Sequence, residues 1–184
     1  MGTVEGLQRA YERFVKLPWD ERLSGQQRIW FAMYEPAQER RLRLRIQEFE
    51  IATKNAGHSW KHIDITDTFA HWMANHEYRE PYFEDPDAMD IELKEGFVTY
   101  LANQIIEALQ ADDVDEDTVV AVSGVASLFG LTRVSTVLEM VAPSIRGRLL
   151  VFFPGHRDGS NYRLLDARDG WNYHAIPIEA TNGR

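Results

Sequence analysis

The chain has 184 residues, of which 44% are hydrophobic and 27% charged, as is typical of one soluble globular domain. The absence of cysteine excludes disulfides, thiolate nucleophiles and cysteine-based metal sites. No apolar run is long enough to span a bilayer, and the N-terminus lacks the apolar core of a signal peptide, so we expect a cytoplasmic protein with no membrane contact.

The net charge of -9 is concentrated in the middle of the chain. Residues 63–118 hold sixteen Asp/Glu against two Lys/Arg, whereas residues 1–62 hold eight against eleven and residues 119–184 hold five against seven. An acidic surface repels the nucleic-acid backbone, which argues against broad direct DNA binding. Two interpretations of the acidic middle remain: a solvated face that maintains solubility, or a surface for a basic patch on a protein partner.

Helices and strands alternate in the first half of the chain. Residues 4–16 predict an amphipathic helix capped by Thr3, and a polar linker follows up to residue 27. The nearly continuous apolar run at residues 28–34 predicts a strand covered on both faces. Pro36 suits the first turn of a long helix that ends near residue 56, with a buried stripe at Leu42, Ile46, Phe49 and Ala56. Residues 59–65 predict a second strand.

The second half continues the alternation and ends in short strands. Thr66 is predicted to cap a short helix, and residues 77–90, which combine six acidic groups with aromatic residues, predict an ordered loop. Residues 91–110 predict a helix, residues 118–122 a third strand, and Gly124 the start of a turn into another helix that ends near residue 142. Residues 148–153 predict the fourth strand, and residues 161–166 and 171–178 a terminal hairpin that follows a Pro-Gly loop.

This order predicts an α/β fold: a single three-layer domain over residues 1–184, with a mainly parallel sheet, an N-terminal helix and a C-terminal antiparallel edge hairpin. Residues 1–27 form the N-terminal helix and linker, 28–178 the sheet-containing core and 179–184 a tail. Such sheets bind ligands at the carboxyl ends of their strands. The candidate strand-end crevice therefore consists of Ser123, Gly124, Ser127, His156 and Arg157.

No catalytic, cofactor or metal motif is complete. The turn at residues 123–130 has two glycines but no P-loop lysine, so it indicates either close helix–strand packing or a weak phosphate site. Ser127 lacks the glycine spacing of a nucleophile elbow. His58 and His62 lie about 13 Å apart along a strand, too far for one ion. We therefore expect a non-enzymatic protein with no cofactor and no metal, and a small-ligand or nucleotide-binding domain is the alternative.

Two groups of residues are candidates for a partner surface. Tyr78, Tyr82 and Phe83 place aromatic side chains among acidic ones, a combination that is common at interaction hot spots. The basic run at residues 39–45 contributes Arg41 and Arg45, the latter able to pair with Glu48. This run indicates either a solvated helix surface or a contact to a partner or phosphate.

Several segments in order resemble the BrxB family, a core component of bacteriophage exclusion (BREX) defence systems. They include Leu17-Pro-Trp19, residues 28–34 with Glu39-Arg-Arg-Leu-Arg43, and Glu48–Thr53. The similarity is strongest in Ile145–Gly155 and Asn161–Tyr173, and it extends from about Leu7 to Ile178.

The resemblance implies a small protein without known enzymatic activity that works as a scaffold or adaptor. Its implied partners are other BREX proteins: first the alkaline-phosphatase-like PglZ, then the ATPase BrxC and the methyltransferase PglX. It implies that any link to DNA is indirect.

Overall fold

A five-stranded parallel sheet forms the centre of the structure. The computed structural model describes residues 2–76, 84–85, 87, 90–165, 171–172 and 174–180. In chain order the strands are β1 (Ile29–Tyr34), β2 (Ser59–Asp64), β3 (Thr118–Ser123), β4 (Arg148–Asp158), β5 (Asn161–Leu164), β6 (Trp171–Asn172) and β7 (Ile176–Ile178). The order across the parallel sheet is β2-β3-β4-β1-β7.

Helices cover both faces of this sheet. The helices α1 (Val4–Val15) and α2 (Glu39–Asn55) pack on one face, and α3 (Thr68–Ala74), α4 (Val98–Leu109) and α5 (Val134–Val141) on the other. Helical residues Asp90–Glu92 and a π-helical turn, Leu93–Phe97, lead directly into α4. Short 3₁₀ turns occupy Gln26–Arg28, Pro36–Gln38, Val125–Leu128 and Ala142–Ser144. The three-layer α/β arrangement confirms the predicted fold class.

The central strands are apolar on both sides because each side meets a different helix layer. Along β1, Trp30, Ala32 and Tyr34 join the cluster beneath α1 and α2. The alternate residues of β1, Ile29, Phe31 and Met33, join the cluster beneath α3, α4 and α5. Every residue of β1 and β3 is buried, as expected from a period of two with both faces covered. Edge strand β2 differs, since its residues are exposed or half-buried.

Strands β5 and β6 form a C-terminal antiparallel hairpin as predicted, whereas the last strand, β7, is separate from it and parallel to β1. The expected Pro-Gly loop is strand, because β4 continues through Pro154 and Gly155 to Asp158, and its outer end pairs with β5, which pairs with β6. At Gly155 an added Cβ would lie 2.0 Å from the Arg163 carbonyl oxygen, so only glycine permits this close pairing. Strand β7 pairs with β1 in parallel, at the end of the sheet opposite β2.

The polar linker between α1 and β1 is ordered by two arginines. The Arg28 guanidinium donates hydrogen bonds to the backbone carbonyls of Glu21, Leu23 and Arg146. Arg148 is 4% exposed, donates to the Gly147 and Asp20 carbonyls at 3.0 Å each, and lies over the Trp19 ring at 4.9 Å. Burial, with the nearby Arg28 charge, lowers the pKa of Arg148. The linker is therefore fixed at the amino ends of the strands.

Candidate interaction surface and strand-end cleft

An ion-pair network closes the carboxyl ends of β2 and β3. The Arg43 side chain of α2 donates to Glu39 at 3.0 Å, to Asp64 at 2.9 Å and to the Thr66 hydroxyl at 2.6 Å. Thr66 does not cap α3 as predicted, because its hydroxyl and amide donate to Asp64 Oδ1 at 2.5 and 2.9 Å. Partial burial opposes ionisation, but the Thr66 hydrogen bonds and Arg43 outweigh it and lower the pKa of Asp64. The network links α2 to the sheet.

Three residues of the candidate crevice have structural contacts in this region. Ser123 is 1% exposed, and its hydroxyl lies 2.7 Å from His62 Nε2, while Ser127 donates to the Gly124 carbonyl at 2.6 Å. At Gly124, where φ is +86°, an added Cβ would lie 2.4 Å from Thr66 Oγ1. Close packing is therefore the interpretation of the glycine turn that these contacts support.

Among the described residues, His62 and Ser123 are a serine and a histidine within hydrogen-bond distance of each other. Burial lowers the pKa of His62, so the imidazole is neutral near pH 7. A neutral imidazole beside a hydroxyl resembles a nucleophile with its base. Ser123 lies on the α2 side of the sheet, like Val119 and Ala121 of the same strand, and it is only 1% exposed.

The other two crevice residues, His156 and Arg157, line a cleft of about 230 Å³. It opens where β1 and β4 lie side by side, and its remaining lining consists of Gly2, Met33, Tyr34, Glu35, Gly155, Glu179 and Ala180. The chain leaves β1 over the α2 layer, whereas it leaves β4 through β5 on the opposite layer. The cleft thus lies at a topological switch point, where α/β sheets bind ligands.

Charges of both signs surround the cleft. Arg157 Nε lies 3.2 Å from Glu179 Oε1, so this arginine is held by a carboxylate from the segment after β7. Glu35 forms no ion pair with any residue that the structure describes. The cleft therefore offers a paired cation and an unpaired anion, and Ser123, Gly124 and Ser127 do not line it.

The predicted partner surface is only partly described. Tyr78, Tyr82 and Phe83 lie outside the described residues. Arg41 and Arg45 both contact Glu5 of α1, at 2.5 and 3.2 Å, and Arg45 also pairs with Glu48 at 2.9 Å as predicted. A backbone hydrogen bond first, and then these arginines, lower the pKa of Glu5. The two arginines therefore join α1 to α2.

Sequence reasoning missed the outer face of α2. Leu44 is 79% exposed and Ile51 is 50% exposed, and they lie seven residues apart, which places them on one side of the helix. The buried stripe at Leu42 and Phe49 faces the sheet. The available signal was two large apolar residues outside the buried stripe, because residues on the solvated side of such a helix are normally polar.

The histidines have other neighbours than metal ligands. His58 stacks on Trp19 with ring centroids 3.7 Å apart, and His156 lies 3.8 Å from Asp158. Within the described part of the chain, no three His, Asp or Glu side chains are grouped as a metal site would require. No helix there is both long and apolar enough to cross a membrane.

These features define a three-layer α/β protein with a strand-end cleft and a partly apolar exposed helix. The chain belongs to the BrxB family, described as BREX protein BrxB, whose family model matches residues 61–178. It therefore takes part in BREX phage defence. Comparison with curated proteins and with solved structures gives no match.

Proposed function

We propose that this chain is a non-catalytic adaptor in BREX phage defence that acts by binding other BREX proteins. The observation that carries the proposal is the exposed apolar pair on α2, Leu44 and Ile51. Large apolar side chains grouped on one exposed face of a helix are a feature of protein-binding surfaces. Family membership supplies the setting, since other BREX proteins are plausible partners of a BrxB protein.

Chemistry at the candidate crevice gives independent support for a non-catalytic role. Ser123 and His62 are at hydrogen-bond distance, yet the hydroxyl is buried, and Ser127 donates its proton to a backbone carbonyl. Each polar group thus has a structural partner that accounts for its presence.

Binding is tested by co-purification of the tagged full-length chain with the other BREX proteins expressed from the same host. We expect PglZ to be retained, and BrxC and PglX with it when the complex is intact. Recovery of the chain alone at low and moderate salt would contradict the adaptor role.

The non-catalytic part of the proposal is tested by Ser123→Ala, measured as the plating efficiency of phage on cells with the complete BREX system. We expect restriction within about tenfold of the wild type, because the change removes one buried hydrogen bond and no reaction step. Ser127→Ala is the matched control in the same turn. If Ser123→Ala abolishes restriction while the purified variant keeps its melting temperature, the chain is catalytic.

A second candidate function, small-ligand binding, is favoured by the cleft at the β1–β4 switch point. A ligand at a hundred times its dissociation constant adds about 2.7 kcal/mol of stability. For a chain of this size we expect the melting temperature to rise by roughly 5–10 °C. A panel of nucleotides and small metabolites tests this with the wild type and Arg157→Ala. No shift with any compound argues against the cleft as a ligand site.

A further inference from the structure

The outer face of α2 carries a regular stripe of five exposed residues: Arg40, Leu44, Gln47, Ile51 and Lys54. Their spacing alternates between four and three residues, which averages 3.5 residues per repeat. A period of 3.5 is the spacing at which a partner helix stays in contact along a coiled-coil seam. The two apolar members lie about 10 Å apart along the helix, with Gln47 between them.

Charge on this stripe indicates the chemistry of an occupant. Arg40 is in the first turn of α2, where the helix macrodipole disfavours a cation, and it forms no ion pair with any described residue. At the other end Lys54 pairs with Glu50 at 2.6 Å. The helix holds five Lys/Arg against three Asp/Glu, while the whole chain has a charge of -9. A carboxylate from outside the chain would compensate Arg40.

The stripe is presented on a rigid support. The opposite side of α2 places Leu42, Phe49 and Ala52 against the sheet. Contacts from Glu5 of α1 to Arg41 and Arg45 fix the rotation of α2 about its axis. A preformed surface loses little conformational entropy when a partner binds, so two apolar anchors contribute efficiently.

A second copy of this chain fits the stripe poorly. Because Arg40 and Lys54 occupy its two ends, an antiparallel copy would bring Arg40 next to Lys54 of that copy. A parallel copy would bring the two Arg40 side chains together, and like charges across an interface oppose binding. A different chain with acidic residues at matching positions avoids this repulsion.

We propose that the Arg40–Leu44–Gln47–Ile51–Lys54 face of α2 docks, in coiled-coil fashion, a helix of a BREX partner protein that offers apolar residues to Leu44 and Ile51 and a carboxylate to Arg40. This rests on the adaptor function proposed above. The stripe precedes the residues matched by the family model, so family membership does not assign it.

The test compares full-length wild type with Leu44→Glu/Ile51→Glu for binding to each BREX protein that co-purifies with the wild type, by biolayer interferometry. We expect the double variant to bind about tenfold more weakly or worse, since two central apolar anchors are replaced by charges. The matched control is Ile91→Glu, because Ile91 is 68% exposed in the helical turn before α4, on the opposite layer. We expect its affinity to be unchanged.

Charge is tested separately with Arg40→Glu. We expect affinity to fall about threefold or more at low salt and the difference to shrink at high salt, where screening weakens the ion pair. Equal binding by the wild type and the Leu44→Glu/Ile51→Glu variant overturns the stripe while leaving the adaptor function intact. Failure of the wild type to bind any BREX protein overturns the adaptor function and the stripe with it.

Light scattering after gel filtration tests whether the stripe instead binds a second copy of this chain. We expect a wild-type monomer, because the stripe opposes self-pairing. A dimer that Leu44→Glu/Ile51→Glu converts to a monomer would show that the stripe binds a second copy, and the proposal would be wrong.

Discussion

Stability of the α1–α2 layer depends on one buried hydroxyl pair. Tyr11 of α1 and Thr53 of α2 are both 0% exposed, and their hydroxyl oxygens lie 2.7 Å apart. The Thr53 hydroxyl donates to the Phe49 carbonyl at 2.8 Å, so Tyr11 is the donor to Thr53. Removing the Thr53 hydroxyl therefore has a different effect on stability from removing the Tyr11 hydroxyl.

The two single substitutions and the double substitution have unequal expected costs. Thr53→Val leaves the Tyr11 hydroxyl buried without an acceptor, which costs about 2 kcal/mol. Tyr11→Phe removes one hydrogen bond but leaves Thr53 bonded to Phe49, at about 1 kcal/mol. The double variant contains no unpaired hydroxyl, so we expect it to lose about 1 kcal/mol, less than Thr53→Val alone. The coupling free energy is then about 2 kcal/mol.

Urea unfolding of the four proteins, followed by far-UV circular dichroism, measures these free energies. The corresponding drop in melting temperature for Thr53→Val is roughly 4–8 °C. Leu17→Ala, at a site that is 57% exposed, serves as the control and should leave stability nearly unchanged. Additive costs, with the double variant the least stable of the four, would falsify the assignment of Tyr11 as a donor that needs Thr53.

Three further expectations concern the turn after β3, the linker and alkaline pH. Gly124→Ala should lower the free energy of unfolding in urea by roughly 3 kcal/mol, because the added Cβ meets Thr66. Gly130→Ala is the control and should cost about 1 kcal/mol, because its φ of +77° is also left-handed but its surroundings are open. Equal costs would exclude the clash. Arg148→Met leaves two carbonyls without a donor, so we expect a loss of about 2 kcal/mol and red-shifted tryptophan emission, and an unchanged spectrum would show that the linker stays in place. Burial raises the pKa of Tyr11 in the folded protein. The stability that the neutral Tyr11 hydroxyl contributes is therefore present below the unfolded-state pKa of about 10 and is lost as pH rises above it, by up to about 1.4 kcal/mol per pH unit. The free energy of unfolding of Tyr11→Phe should fall less steeply over this pH range, and parallel curves for the two proteins would contradict this.

The layer containing α2 connects these expectations to function. Its inner side is held by Phe49 and the Tyr11–Thr53 pair, while its outer side carries Leu44 and Ile51. Substitutions on the inner side are therefore expected to change stability, and those on the outer side to change binding. Measuring both quantities for each variant separates a lost partner contact from a loosened helix.

Much of the fold was predictable because local patterns and tertiary packing agree. The apolar run at β1 predicted a strand covered on both faces, and Thr3 predicted the cap of α1, where its hydroxyl accepts from the Gly6 amide at 3.1 Å. Prediction was poorer after Gly124, where a 3₁₀ turn and a loop precede α5, and at Pro154, where β4 continues. In both places contacts from distant residues override the local signals of glycine and proline.

The candidate site was likewise predictable only in part. The sequence alone indicated that the strand ends collect polar residues, since parallel strands align their carboxyl ends. It did not show that His156 and Arg157 share a cleft with Glu35, or that Ser123 is enclosed beside His62. Those relationships depend on strand order, and strand order is determined by which crossover packs on which face of the sheet.

The amino-acid sequence by itself determined the α/β class, the order of the main helices and strands, and the resemblance to BrxB, because each depends on residue type and spacing along the chain. Only the tertiary structure decided that Arg41 and Arg45 are used within the protein and that Leu44 and Ile51 are exposed. The physical reason is that a helix has several faces, and spacing identifies residues that share a face without showing what that face meets. The packing of α1 beside α2 settles which faces are covered and which remain open to a partner.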